Sequence, residues 1–365
     1  VKVEIAICGT KHYFGLPKYF YFLAKHLIRK GVEVEVILDS VDGISHLKEV
    51  CNKIVPVVIP PACQDKLNVV ATPLWCWKVA QYLKKKQFDV LHCGHVTPFF
   101  YLMQPCRKPV VFQPFDNELL KFGAMFSGLK RRWYRAMSSV LEYCGKKCDV
   151  LLAEGDWQLV EIHQLYGRHS VISPQGIDIE WIKQMADKNP VSIPEIDDND
   201  FVLLTVNGFQ PHKNYQLLVE AMRLLPPRIK AIMVGTGVED AKIDRLIENY
   251  GLRSRITRLR NVPESQLYGI YRLADCYVSP TLATDFQMGI MEAEAFGLPV
   301  VSTGQQYMIN GNGYVVPADA SALVDGILRV KNGDRQAMGG KSKQLARQYD
   351  FAQITERLIE IYKRL

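Results

Sequence analysis

The chain has 365 residues, enough for two ordinary domains, with 48% hydrophobic and 23% charged residues and a formal net charge of +7. Every apolar run breaks well before the ~18 residues a membrane-spanning helix needs, and the charged opening Val1-Lys2-Val3-Glu4-Ile5-Ala6-Ile7 reads as a strand and is not expected to be a signal peptide. A soluble, cytoplasmic protein is expected, and its nine scattered cysteines, without disulfide-scaffold or zinc spacing, fit reduced thiols.

Lys2 to Cys8 alternates as a strand, Gly9 to Gly15 reads as a loop, and Tyr19, Phe20, Leu23, Ala24, Leu27 and Ile28 form one apolar helix face. Gly31 ends that helix, and Val32 to Leu38 is a second strand. Further strands are expected at 54–59, 90–92, 109–113, 150–153 and 170–173, several separated by helices, as in a parallel α/β sheet. Between Glu118 and Asp149 seven basic residues face three acids, centred on Lys130-Arg131-Arg132-Trp133-Tyr134-Arg135. Trp133, Met137, Val140, Leu141 and Cys144 make an apolar stripe there, leaving Lys130, Arg131 and Arg135 off the buried face. That face reads either as a solvated helix surface or as a contact for an anionic membrane or a phosphorylated acceptor. Cys144 and Cys148, one turn apart, read as helix packing.

Turn chemistry at Ser173-Pro174-Gln175-Gly176-Ile177-Asp178 and a polar stretch from Asp187 to Asp200 mark a boundary. Alternation then restarts, with strands at 201–206, 229–234, 276–279, 300–303 and 314–317 and helices around Leu217 and Leu246. A final helix carries Phe351, Ile354, Leu358, Ile361 and Tyr362, with Asp350 placed to cap it. Two doubly wound units imply two Rossmann-like domains, 1–173 and 174–349, facing across a cleft, with ligands at the carboxyl ends of the strands.

Four strand-to-helix segments carry the chemistry. In Val206-Asn207-Gly208-Phe209-Gln210-Pro211-His212-Lys213-Asn214, Asn214 can cap the next helix and Lys213 adds positive charge for an anion. Val234-Gly235-Thr236-Gly237 is a Gly-x-Gly without a third glycine, as suited to a tight turn as to phosphate. In the segment from Ser279 to Val301, Glu292 and Glu294 differ by two positions and cannot share a helix face, so one can address a ligand while the other looks elsewhere. A carboxylate so placed suits vicinal hydroxyls. Asp89-Val90-Leu91-His92-Cys93-Gly94-His95 ends a strand with two histidines, either structural or functional.

In this order and spacing the segments resemble the retaining glycosyltransferases of family 4, which have the GT-B fold. The resemblance takes in the Gly15 turn, Asp89 to His95, Pro174 to Asp178, Phe209 to Asn214, Val262-Pro263-Glu264, Ala274-Asp275 and Glu292 to Val301. It implies transfer of a sugar from a nucleoside-diphosphate donor, UDP or GDP, to a glycan, lipid-linked or small-molecule acceptor. The anomeric configuration would be retained, without metal or resident cofactor. By resemblance Lys213 would contact the diphosphate, Glu292 the ribose hydroxyls and His95 (rather than His92) the donor sugar. Asn261 and Val262 would hold the base. Thr284, Asp285, Phe286, Gln287, Met288 and Gly289 would cradle the phosphates, with Gly15 and Gly208 also at the donor. The C-terminal helix, 350–365, would pack back on the first domain, and Arg131 and its neighbours could place the protein peripherally on the inner membrane face.

The chain departs from the family pattern twice. Thr284, followed by Asp285, stands where a glutamate is usual eight positions before Glu292, and Gly208 stands where an arginine is usual five positions before Lys213. These departures keep two alternatives open: a catalytically weakened partner subunit of the same fold, and a sugar-nucleotide epimerase. No nucleic-acid motif accompanies the positive charge.

Overall fold

The computed structural model describes residues 1–7, 16–38, 51, 53–57, 68–114, 128–282, 287–304 and 307–365. The chain divides into two units, Val1–Gly176 with Phe351–Leu365, and Ile177–Asp350.

The first unit holds a parallel sheet of β1 (Lys2–Ile7), β2 (Glu33–Leu38), β3 (Ile54–Pro56), β4 (Val90–Gly94), β5 (Val110–Gln113), β6 (Val150–Ala153) and β7 (Val171–Ile172), in the order β3-β2-β1-β4-β5-β6-β7. β4 and β5 are buried at every residue, as near-continuous apolar strands covered on both faces should be. One face, with Ala6, Leu91, Cys93 and Phe112, packs against Trp75, Val79 and Leu83 of helix α2 (Asn68–Leu83). The same cluster takes in Tyr101 and Leu102 of α3 (Phe99–Leu102), Leu141 and Cys144 of α4 (Gly128–Lys147), and Ile162 and Tyr166 of α5 (Asp156–Tyr166). On α4 the exposed Arg131 and Arg135 lie off the buried stripe, as the spacing predicts, and Arg132 is exposed beside them; the Lys130 side chain lies outside the described ones.

α1 (Leu16–Arg29) meets the C-terminal helix, Phe351–Lys363, and both reach the buried His92 on β4. The Phe351 ring lies 5.5 Å from Tyr19 and 5.7 Å from Phe22, and His92 contacts Phe20 and Tyr362. An ion pair from Lys30 to Glu356, at 2.6 Å, closes the outer edge.

The second unit repeats the plan. Its sheet runs β10-β9-β8-β11-β12-β13, from β8 (Phe201–Val206), β9 (Ile229–Val234), β10 (Ile256–Leu259), β11 (Cys276–Ser279), β12 (Val300–Ser302) and β13 (Gly313–Val315). α6 (Ile179–Lys188) precedes the strands, α7 (Tyr215–Leu224), α8 (Asp240–Asn249), α9 (Glu264–Arg272) and α10 (Met288–Phe296) lie between them, and α11 (Ala320–Asn332) and α12 (Arg335–Ala346) follow. α7, α8 and α11 cover one face, and α6, α9 and α10 the other. Asp178, Asp319 and Asp334 cap α6, α11 and α12, each accepting from the backbone N–H three residues on at 2.8–2.9 Å.

The edge strand β10 has no counterpart in the sequence reading, because Arg258 interrupts its short apolar pattern. In the fold that guanidinium is tucked over the Phe209 ring at 4.0 Å and bonded to Asp240 and Asp244. Asn214 stands at the start of α7 as expected but in the left-handed region, φ 53°, and makes no side-chain cap. The turn at Lys213 uses it to reverse direction instead.

Candidate active site

The loop after β8 is built on Phe209, whose buried ring stacks on Tyr215 at 4.1 Å while its N–H donates to the Thr236 carbonyl at 2.9 Å. This pairing explains the Gly-x-Gly motif. A Cβ at Gly235 would lie 1.9 Å from the Asn207 oxygen, and one at Gly237 would lie 2.3 Å from the Phe209 oxygen. Both glycines let two loops touch. Gly208 is different: it is exposed, and an added Cβ would meet nothing nearer than the Thr236 oxygen at 3.9 Å. The fold leaves room there for a side chain.

Beyond Phe209 the chain makes one 3-10 turn, Pro211–Lys213, and Lys213 is only 8% exposed. The His212 carbonyl accepts from the Leu282 N–H at 2.8 Å and from the Thr281 hydroxyl at 3.3 Å. Thr303 donates to the Thr281 carbonyl at 2.8 Å. The loop after β11 is therefore stitched to the lysine turn on one side and to β12 on the other. Ser279 donates to Gln287 at 2.7 Å, fixing the approach to α10. Gly289, in the first turn of α10, has the Tyr277 hydroxyl 2.3 Å and the Val206 carbonyl 2.8 Å from where its Cβ would stand. Lys213, Gln287, half-buried Met288 and Gly289 are thus gathered at the carboxyl end of β8 and β11. Gly15, Thr284, Asp285 and Phe286 lie outside the described residues.

Glu292 projects from α10 toward α9, 4% exposed. The Tyr271 hydroxyl donates to its Oε2 at 2.8 Å and the Tyr268 hydroxyl stands 3.3 Å from its Oε1. Glu294 points away, as two-residue spacing requires. It is fully buried, accepts from the Asn312 amide at 2.8 Å, and its Oε2 finds no hydrogen-bond partner among the described residues. Burial holds its carboxyl well above the usual range. Asn261, exposed with φ 49°, and half-buried Val262 lead directly into α9, so the loop and the helix that grips Glu292 are continuous.

On the first unit, His92 is a packing residue. It is fully buried, its Nδ1 is 2.5 Å from the Tyr362 hydroxyl, and burial pushes its pKa down to about 3. His95 is half-buried, just past the end of β4, in the left-handed region at φ 54°. A non-glycine residue in that region is uncommon and costs backbone energy. The sequence reading missed Tyr268 and Tyr271. Two tyrosines three apart on an apolar helix carry no signal that separates them from core aromatics.

Two parallel α/β units, the second presenting a buried lysine and a clamped carboxylate at its strand ends, make up the architecture of a GT-B glycosyltransferase. Family models match both halves: glycosyltransferase family 4 over residues 15–181 and glycosyl transferases group 1 over residues 189–346. An uncharacterized glycosyltransferase of Methanocaldococcus jannaschii is 24% identical, with 96% of this chain and 94% of that protein covered. The sucrose-phosphate synthase of Thermosynechococcus elongatus superposes with a TM-score of 0.82 at 18% identity, covering 100% of this chain and 98% of that one. HepE of Anabaena, solved in complex with UDP-glucose, gives 0.76 at 19% identity, with both chains covered completely. The chain belongs to the family 4 glycosyltransferases.

Among the described residues no helix is long and apolar enough to cross a membrane.

Proposed function

We propose that the enzyme transfers a sugar from a UDP- or GDP-linked donor to a glycan, lipid-linked or small-molecule acceptor with retention of anomeric configuration. The observation that carries this reading is the joining of the Lys213 turn to the α10 segment through the His212 carbonyl. A cation on one loop and a helix carboxylate on the next suit the two ends of a nucleoside diphosphate, its phosphates and its ribose diol. In this assignment Lys213 and the N–H groups at the start of α10 stabilise the departing diphosphate, where negative charge develops. Glu292 accepts the ribose hydroxyls, the Asn261-Val262 backbone holds the base, and His95 is the first unit's catalytic contribution. The nucleotide sugar is consumed as a substrate, and the reading calls for no resident cofactor.

The stereochemical part is tested by proton NMR of the product formed from an α-linked donor. Appearance of the α-glycoside as the first product supports the assignment, and the β-glycoside would remove it. One observation favours a second reading, a weakened partner subunit. No cation among the described residues lies within 4 Å of where a Gly208 Cβ would stand, and glycine itself brings none, so one of the family's usual two diphosphate cations is absent from that loop. Turnover with no donor while the chain binds a second transferase tightly would favour that reading.

A further inference from the structure

The first unit carries an apolar cleft that the donor chemistry does not use. It lies where α2, α3 and α4 meet, with a volume of about 50 Å³, between Pro73 and Cys76 of α2, Val96 and Phe99 on the chain leaving β4, and Met137 and Val140 of α4. Its wall is almost wholly carbon, and the Cys76 thiol is turned to the Val96 carbonyl at 3.6 Å. Pro73, Phe99, Met137 and Val140 are only half-buried, so the cleft opens at the surface. The Phe99 ring is braced edge-on against Tyr143 at 5.4 Å and 77°, which holds the aromatic wall in place.

The apolar surface does not stop at the rim. Trp77, 48% exposed, stands one helical turn on from Pro73, and Met103, 57% exposed, stands the same distance on from Phe99. Exposed apolar surface continuous with an open cleft is the mark of a site for an apolar ligand.

Two observations point to the occupant. Val96 directly follows His95, the residue assigned to the reaction on this unit, so the cleft begins one residue from the place where an acceptor must react. The helix that supplies Met137 and Val140 also turns Arg131, Arg132 and Arg135 to solvent. An acceptor borne on a hydrocarbon chain resides in a bilayer, and three exposed cations suit anionic headgroups there.

We propose that this cleft seats the hydrocarbon chain of a lipid-linked acceptor and delivers its hydroxyl to His95. This rests on the reading of the chain as a sugar transferase with His95 at the reaction. It selects one class from the acceptors that reading allows.

The test titrates methyl, octyl and dodecyl β-glucoside, below their micellar concentrations, by calorimetry on the wild-type chain, Val140→Phe and Trp77→Ala. Thermal shifts with UDP and GDP are recorded on each. A buried methylene is worth about 4-fold in affinity, so the octyl compound is expected to bind about 10-fold or more tighter than the methyl one. Val140→Phe fills the cleft and should weaken octyl binding by about 10-fold, and Trp77→Ala, at an exposed rim position outside the core, by about 3-fold. Both variants should keep the wild-type nucleotide shifts. On the wild type, octyl glucoside should also move the NMR signals of the His95 imidazole. Affinity independent of chain length, or unaltered in both variants, overturns the proposal. Chain-dependent binding that leaves the His95 signals in place makes the cleft an anchor for bilayer lipid and overturns the acceptor role. A wild type that binds the chain and shows no nucleotide shift counts instead against the transferase reading, and leaves the cleft as an apolar-ligand site.

Discussion

Replacing Lys213 by alanine is expected to lower kcat by about 10²–10³-fold, the usual loss when one preorganised donor is removed from a developing charge. Three features put the effect at the upper end of that range. The side chain is 8% exposed, so its charge acts in a medium of low polarisability. Its turn is pinned by the His212 carbonyl to the loop that leads into α10, so it needs little reorganisation during the reaction. The neighbouring Gly208 supplies no second cation to share the load. Steady-state kinetics with the melting temperature recorded in parallel is the check. A loss below about 5-fold in a normally folded variant would contradict the role. The open space at Gly208 allows the complementary experiment, since an arginine there meets no backbone obstacle within 3.9 Å of its Cβ. Gly208→Arg in the Lys213→Ala background is expected to restore part of the rate.

Glu4→Gln is expected to stabilise the first unit at pH 8 and to do little at pH 4.5. Glu4 on β1 and Glu35 on β2 are register partners, so two carboxyls sit side by side on one face of the sheet. Glu4 is fully buried, and neither of its oxygens has a hydrogen-bond partner among the described residues. Tyr82 of α2 and Lys86, just beyond its end, bond to Glu35 instead, and Lys2 approaches Glu4 no closer than 3.9 Å. Burial first and the Glu35 charge second, with Glu33 adding to them against Lys2 and Lys86, push the Glu4 carboxyl from 4.5 up to about 7.

The unfolded chain releases this proton near pH 4.5 and the folded chain keeps it to about 7. Stability therefore falls as pH rises between those values and is flat above them. The loss is about 2 kcal/mol once solvent screening is allowed for. Glutamine stays neutral and avoids it. Denaturant melts at pH 4.5 and pH 8 measure the difference. Equal stability of wild type and variant at both pH values would mean that Glu4 is not held protonated by the fold.

The strands that lie buried on both faces were plain in the chain, because parallel sheets write themselves as short apolar runs separated by helix-length stretches. The β10 edge was not, since Arg258 earns its place through Phe209, Asp240 and Asp244, which are distant in sequence. Lys213 and Glu292 stood out through family resemblance rather than chemistry, for a lysine beside a helix start is common. What the sequence withheld was the meaning of neutral residues. Gly235 and Gly237 read equally well as a tight turn or a phosphate contact, and they let two backbones touch. His92 read as either structural or functional and is a buried tie to Tyr362. Tyr268 and Tyr271 looked like core and grip a carboxylate. Each of these depends on a contact between segments far apart in the chain, which periodicity cannot report.

The most direct test of the donor site is a thermal-shift titration of UDP and GDP on the wild-type chain and on Glu292→Ala. Ligand at about 100 times its dissociation constant adds about 2.7 kcal/mol of stability, enough for a clear rise in Tm. The account predicts a rise with one of the two nucleotides that is largely lost in Glu292→Ala. No rise with either nucleotide, or an equal rise in the variant, would contradict it.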